Sequence, residues 1–401
     1  LLNTVFNGTV TTPLGFQACG VRCGLKEKGL DLALVYSTVP AAAAALFTTN
    51  KIKAAPIKWS QALVPSAKIQ AMIINSGNAN ACTGSQGDQD AMEMAQLTAG
   101  ELSLDREAVL VASTGIIGKP MAMDKVRAAI PLAKAVLSAD GGPQAAQAIM
   151  TTDLVSKHFA IAFDLGGCKA HVGVMAKGSG MINPNLATMI CCVTTDVAIT
   201  PNMLHEALHA ATDESLNSLT VDGEMSTNDC VLAMANGRCG NALIDKPGAD
   251  YDLFVQSLRT VMQAVARRIA EDGEGATKLA LITIEGAANR EEALAAAKAV
   301  ANSMLVKTAL FGQDPNWGRV VSAVGGSGVQ LDPDRIAVSF AGITVLQNGQ
   351  PIPFDLAAMK KALAEKEIPV RMSLAAGAAS ATVFSCDLTY DYVKINAEYH
   401  T

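Results

Sequence analysis

Two stretches, AMIINSGNANACTG (71–84) and AVLVASTGIIG (108–118), share one layout. In each, a short apolar run passes into a loop of Gly, Asn, Ser, Thr and Ala. A brief apolar run bounded by turn residues is the pattern of a buried strand, and it delivers its loop to one edge of a sheet. Helical stretches at 89–101 and 123–137 follow these strands, and alternation of the two element types points to an α/β fold. A third run, VGVMA (172–176), leads into KGSGMINPNLA (177–187). The next segment, TMICCVTTDV (188–197), is rich in β-favouring residues, so residue 188 falls at a strand start.

Further along, Thr200-Pro201 has the form of a cap with proline at the first helical position, opening a helix to about residue 218. A longer helix at 251–271 places Leu253, Phe254, Leu258, Val261, Val265 and Ile269 on one face. A strand at 278–285, a helix at 290–304, a hairpin at Asn348-Gly349, a helix at 356–365 and an alternating strand at 382–394 complete the chain. No internal repeat or long linker interrupts it.

With 401 residues, the chain exceeds what one core usually organises, which predicts two units. Half of the residues are hydrophobic, 33 are Gly and only 4% are aromatic, a composition suited to helices packed closely on sheets. The formal charge of −6 and the scattered Lys and Arg give no footprint for nucleic acid. The apolar stretch 34–47 is broken by Tyr36, Ser37, Thr38 and Pro40 and is too short for a membrane helix. Nine cysteines spread over so large a chain read as buried free thiols in a reducing compartment.

Several motifs compete for the chemistry. HEALH (205–209) matches the H-E-x-x-H zinc pattern, but only His158, His171 and His400 remain as histidines. An amphipathic helix burying Leu204, Ala207, Leu208 and Ala211 is the simpler reading, and no metal is expected. The loops KGSGMINP, GEGATK and VGGSGVQ lack the spacing of a phosphate loop or a dinucleotide fingerprint. Thr188 is a chemically coherent nucleophile. A threonine hydroxyl needs a base, and its own α-amine, with a reference pKa of roughly 7.7–8.0, supplies one once the Ala187-Thr188 bond is cut. Taken by itself, Thr188 reads more simply as a β-branched residue opening a strand.

Resemblance reverses that preference. AKGSGMINPNLATM resembles the cleavage motif of the ornithine acetyltransferase family, the bifunctional glutamate N-acetyltransferases of arginine biosynthesis. NSGNANACTG, STGIIG, TVDGEMSTNDC, DGEGATK, LVKTALFGQDPNWGR and the terminal INAEYHT resemble the same family's blocks in the same order. Asn183, Leu186 and Cys230 depart from its usual pattern, and none of them is a reacting group.

The resemblance implies a layered αββα-type catalytic domain, related to self-cleaving aminopeptidases, over residues 1–285, with a smaller α/β domain over 286–401 whose tail returns to the site. It implies cleavage at Ala187-Thr188 and a ping-pong transfer of acetyl from N2-acetylornithine to glutamate through acetyl-Thr188. Thr114 and Gly115 match the oxyanion hole. Thr151 or its neighbour Thr152, together with Lys177, Thr188, Glu274, Asn396 and Thr401, match the substrate contacts. No cofactor is implied, although many members accept acetyl-CoA as donor. The partners implied are small amino acids and the two chains of a self-cleaved α2β2 heterotetramer, located in the cytoplasm, or in a plastid or mitochondrion in a eukaryote. A self-cleaving hydrolase that passes the acyl group to water is the alternative.

Overall fold

The computed structural model describes residues 2–183 and 189–398. Nine strands form the first sheet: β1 (Asn3–Thr4), β2 (Phe16–Val21), β3 (Leu32–Phe47), β4 (Ser66–Asn78), β5 (Val109–Ile116), β6 (Lys157–Leu165), β7 (Cys168–Lys177), β8 (Ile190–Thr195) and β9 (Cys230–Ala235). Their order is β1-β6-β7-β8-β9-β3-β4-β5, with β2 beside β3. Helices α1 (Ala55–Gln61), α2 (Gly84–Leu102), α3 (Met123–Ala135), α4 (Gly142–Ala148), α5 (Pro201–Asp213) and α6 (Ala249–Glu271) cover it.

The apolar stretch at 34–47 is the key to the layering. It lies within β3, whose first half pairs with β2 and β4 and whose second half pairs with β9. Bulges between Tyr36 and Ala43 interrupt its pairing with β4, and bulges bend a strand. One face of β3 contributes Ala33, Val35, Ala41, Ala43 and Ala45 to a single core shared with Met72, Leu110, Cys192 and Leu232. Its other face changes company. Leu32 and Leu34 pack with α2 and α3, whereas Ala44 and Leu46 pack with α5 and α6. The sheet is therefore folded on itself around an Ala-rich centre with helices outside each half, which is the αββα layering expected. Alanine at the centre allows the two halves to approach closely.

The second sheet runs β13-β12-β11-β14-β10-β15, from β10 (Leu279–Ala287), β11 (Ala337–Phe340), β12 (Ile343–Gln347), β13 (Gln350–Pro351), β14 (Glu367–Ser373) and β15 (Ala379–Cys386). Helices α7 (Arg290–Ala301), α8 (Met304–Phe311), α9 (Trp317–Gly325) and α10 (Leu356–Ala364) share its core. The boundary between the two sheets thus falls ahead of Leu279, since β10 belongs to the second. Leu279 and Cys386 join the core around α6 and tie the sheets together. Among the described residues no single helix is long and apolar enough to cross a membrane.

Two expectations along the chain are corrected. The helix expected at 290–304 is two helices, α7 and α8, with the Ser303 side chain capping the second. The strand expected at 382–394 ends at Cys386, and α11 (Tyr390–Glu398) follows. Asp387 stops the pairing, because its carboxylate takes the N–H groups of Thr277 and Lys278 that a longer strand would need. Thr389 then accepts from the Tyr392 N–H and starts the helix. No residue of α11 is buried, so hydrophobic periodicity had nothing to report there.

Candidate active site

Three adjacent strands bring their ends together at one edge of the first sheet. Lys177 ends β7 opposite Ile190 of β8, and Ile190 lies opposite Cys230 of β9. Met189, just ahead of β8, accepts the Cys230 N–H through its carbonyl at 2.8 Å. The end of β5 supplies Thr114 and Gly115. Gly115 sits at φ +130, and a Cβ there would lie 2.4 Å from the Gly77 carbonyl carbon, so this position needs glycine.

These ends enclose a cavity whose wall includes Thr114, Gly115, Thr151, Thr152, Lys177, Gly180, Met189, Ser226, Asn228, Asp229, Glu274 and Asn396. Of the residues singled out from the sequence, Thr114, Gly115, Thr151, Lys177, Glu274 and Asn396 all meet here, and Thr152 lines the wall beside Thr151. Ala187, Thr188 and Thr401 lie outside the described residues.

Lys177 is held by charge from behind. Its Nζ is 3.5 Å from Thr114 Oγ1, and burial lowers its pKa. Asp153 accepts from the Gly178 N–H at 2.8 Å and from Lys157 Nζ at 2.6 Å; Lys157 also reaches Asp272 at 2.6 Å. Burial works against the charge on Asp153, but Lys177, Lys157 and the Gly178 N–H more than offset it and hold the carboxyl down at about 2. The second oxygen of Asp153 accepts the Thr151 N–H at 3.0 Å. One buried ion cluster therefore fixes both the Lys177 end and the Thr151 end of the wall.

The loop after Lys177 is strapped to the segment after α6. Ser179 donates its hydroxyl to the Asp272 carbonyl at 2.6 Å, and the Glu274 N–H donates to the Ser179 carbonyl at 3.0 Å. This turns the Glu274 carboxylate over Gly180, where a Cβ would come within 2.3 Å of it. Asn396 of α11 donates to Glu274 Oε2 at 2.8 Å, so the C-terminal segment does return to the site. The glycines of KGSG thus serve close packing, Gly180 at Glu274 and Gly178 at Ile182 and Ile269, with no phosphate cradle required.

The residues that brace the wall are not among those expected from the sequence. Asn228 donates to the carbonyls of Ala79 at 2.5 Å and Ser113 at 2.8 Å, joining the loop after β4 to the end of β5. Asp222 accepts from the N–H groups of Met181 and Ile182 at 2.6 and 2.9 Å, and from the Tyr392 hydroxyl at 3.3 Å. Asp229 is buried, and burial raises its pKa well above the carboxylate range. The block TVDGEMSTNDC (220–230) was the available signal, since it packs Asp, Asn, Ser and Thr just ahead of an apolar strand.

HEALH falls on α5, where Leu204, Ala207, Leu208 and Ala211 are buried as the amphipathic reading expects. His209 pairs with Asp213 at 3.2 Å, and among the described residues no group of three or more His, Cys, Asp or Glu is placed to hold a metal ion. The nine cysteines are free thiols; Cys82 is exposed and Cys23, Cys168 and Cys239 are half-buried, so only five meet the expectation of burial.

Chemically, the cavity offers a hydroxyl and a constrained glycine backbone at one side, an ammonium at Lys177 and a carboxylate at Glu274. Such a set suits an acyl group attached to a zwitterionic amino acid.

Comparison with known proteins places the chain. A protein of Symbiobacterium thermophilum named arginine biosynthesis bifunctional protein ArgJ is 50% identical over 397 residues, 98% of this chain and 99% of that one. The protein of the same name from Oceanobacillus iheyensis is 44% identical over 397 residues, covering 98% of this chain and 97% of that one. The crystal structure of arginine biosynthesis bifunctional protein ArgJ from Bacillus halodurans matches with 40% identity and a TM-score of 0.51, over 52% of this chain and 98% of that one. The model of the ArgJ family matches residues 17–401, and the chain belongs to that family of bifunctional enzymes of arginine biosynthesis.

Proposed function

We propose that this enzyme transfers acetyl from N2-acetyl-L-ornithine to L-glutamate, after cutting itself between Ala187 and Thr188. The observation that carries the reading is the single cavity in which Thr114 and Gly115 face Lys177 and Glu274, with Met189, the residue after Thr188, in the same wall. In the cut, the Thr188 hydroxyl adds to the Ala187 carbonyl, an ester forms as the Thr188 nitrogen leaves, and water hydrolyses it. A carboxylate on Ala187 and a free α-amine on Thr188 result. The solved Bacillus halodurans chain is about half the length of this one, as a product of a cut near the middle would be, which supports the reading.

In the transfer, the freed α-amine takes the proton of the Thr188 hydroxyl as the oxygen attacks the acetyl carbonyl. Thr114 and Gly115 donate hydrogen bonds to the oxyanion. Ornithine departs with the proton, leaving acetyl-Thr188, and the glutamate amine then attacks that ester. Lys177 faces the substrate carboxylate or the acyl group, Glu274 with Asn396 faces an amine, and Thr151 and Thr401 complete the substrate contacts. Acetyl-CoA serves as an alternative donor, and no cofactor takes part. The catalytic domain is built around the first sheet and a smaller C-terminal domain around the second. The cut chains assemble as an α2β2 heterotetramer in the cytoplasm.

Intact mass and N-terminal sequencing of wild type and Thr188→Ala test the cut: fragments beginning at residues 1 and 188 are expected in the first and one chain in the second. Acetyl transfer to glutamate is then compared with release to water. An uncut active wild type, or hydrolysis without transfer, overturns the proposal.

A further inference from the structure

Asp229 enters the cavity wall with half of its carboxyl unused. The residue is 3% exposed and lies just ahead of β9, next in line after Lys177 and Met189 along the sheet edge. Ser226, three residues earlier, lies close enough to the carboxyl to favour its charged form, though burial outweighs it. Oδ2 has no hydrogen-bond partner among the described residues, although it is buried in the wall of a polar cavity. An orphaned buried acceptor is costly, more so when it carries charge.

The charge balance points the same way. Among the described residues the wall carries Lys177 as its cation, against the carboxyl groups of Asp229 and Glu274. Glu274 is held by Asn396. Behind the wall, Lys157 stands between Asp153 and Asp272, and Lys26, near Asp153, stands against Asp31, so two lysines meet three carboxylates. A neutral donor would meet the hydrogen-bonding need of Oδ2 but not the charge.

We propose that Asp229 Oδ2 is the acceptor for a primary ammonium that enters this cavity. The proposal rests on the function set out above, which provides two sources of that group: the amine of the amino-acid substrate, and the α-amine that cleavage frees on the residue before Met189. Burial favours the neutral acid against the pull of Lys177, and an arriving ammonium draws out the ionised form. Asp229 is then a positioning residue for a reacting amine.

Asp229→Asn keeps the shape and removes the charge; Asp229→Ser is the second variant. Intact mass, KM and kcat for acetylornithine and glutamate, and the pH profile of kcat/KM are measured for both. If the substrate supplies the ammonium, KM for one amino acid rises at least about tenfold while kcat stays within about threefold, the loss of one charge-assisted hydrogen bond. If the freed α-amine supplies it, KM holds and the acid limb of kcat/KM moves to lower pH by about one unit, because a carboxylate beside an amine raises the amine's pKa. Folded, cut variants with both KM values and the acid limb of wild type overturn the proposal, as does a folded variant that is not cut.

A measurement without either variant covers the case in which neither folds. Infrared difference spectra of protein carrying 13C-labelled aspartate carboxyls should show an acid losing its proton, either between uncut Thr188→Ala and cut wild type or on addition of ornithine. No such change in either comparison overturns the proposal. Absence of acetyl transfer in wild type would sink the functional reading separately and would leave the cut-against-uncut comparison intact.

Discussion

Replacing Lys157 by methionine tests the ion cluster that braces the cavity. Methionine nearly matches the lysine stem in volume, so the change is chiefly the loss of one charge. In the native chain Lys157 is 2% exposed, and its Nζ bridges Asp153 and Asp272 at 2.6 Å each. Removing one partner from a buried ion group costs roughly 3–5 kcal/mol, because the remaining charge stays buried without compensation. A second route gives a consistent order of magnitude. The Asp153 carboxyl falls from 3.8 to about 2, and one pKa unit corresponds to about 1.4 kcal/mol, so its ionised form contributes about 2 kcal/mol. The folded pKa is depressed, so this stability is present above the unfolded value of 3.8 and is lost as pH falls through about 2. Lys157→Met removes one of the cations that hold the carboxyl down. Urea unfolding followed from pH 7 to pH 2 should therefore show a deficit of about 3–5 kcal/mol at neutral pH that narrows below about pH 4. A deficit under about 1 kcal/mol, or one that stays constant across that range, refutes the reasoning.

Thr114→Val removes the hydroxyl proposed as an oxyanion donor at nearly constant volume. It should lower kcat for acetyl transfer by about 10²–10³ in a steady-state assay while leaving the unfolding midpoint close to wild type. Gly180→Ala places a methyl where the Glu274 carboxylate lies, and that carboxylate is the far end of a flexible side chain that can swing away from Asn396. The expected result is a small change in melting temperature with a rise in KM for acetylornithine of about tenfold or more.

How much of this was legible in the sequence depends on how far each feature reaches along the chain. Strands β4, β5 and β7 announced themselves because they are largely buried and end in Gly- and Asn-rich loops. The helix at Tyr390–Glu398 did not, because it buries nothing and its boundary is set by Asp387 binding the backbone of Thr277 and Lys278. The layering was implied by resemblance, while its physical basis, a 16-residue strand with one constant face and one that changes neighbours, needs all the strand partners at once.

The same division runs through the site. Lys177 and Glu274 could be named one at a time because each stands in a recognisable block. Asp153, Lys157 and Asp272 could not, since each alone is an ordinary surface residue type. Their placement follows from contacts across 115 positions of sequence, as in the bond from Lys157 to Asp272. Burying three charges is costly unless they satisfy one another, so the cluster forms as a unit or not at all. Its bonds end on Gly178 and Thr151, the neighbours that set where Lys177 and the opposite wall lie. A change at Lys157 should thus reach the cavity without touching any residue that lines it, and a fall in kcat/KM at temperatures where Lys157→Met remains folded would be the mark of that linkage.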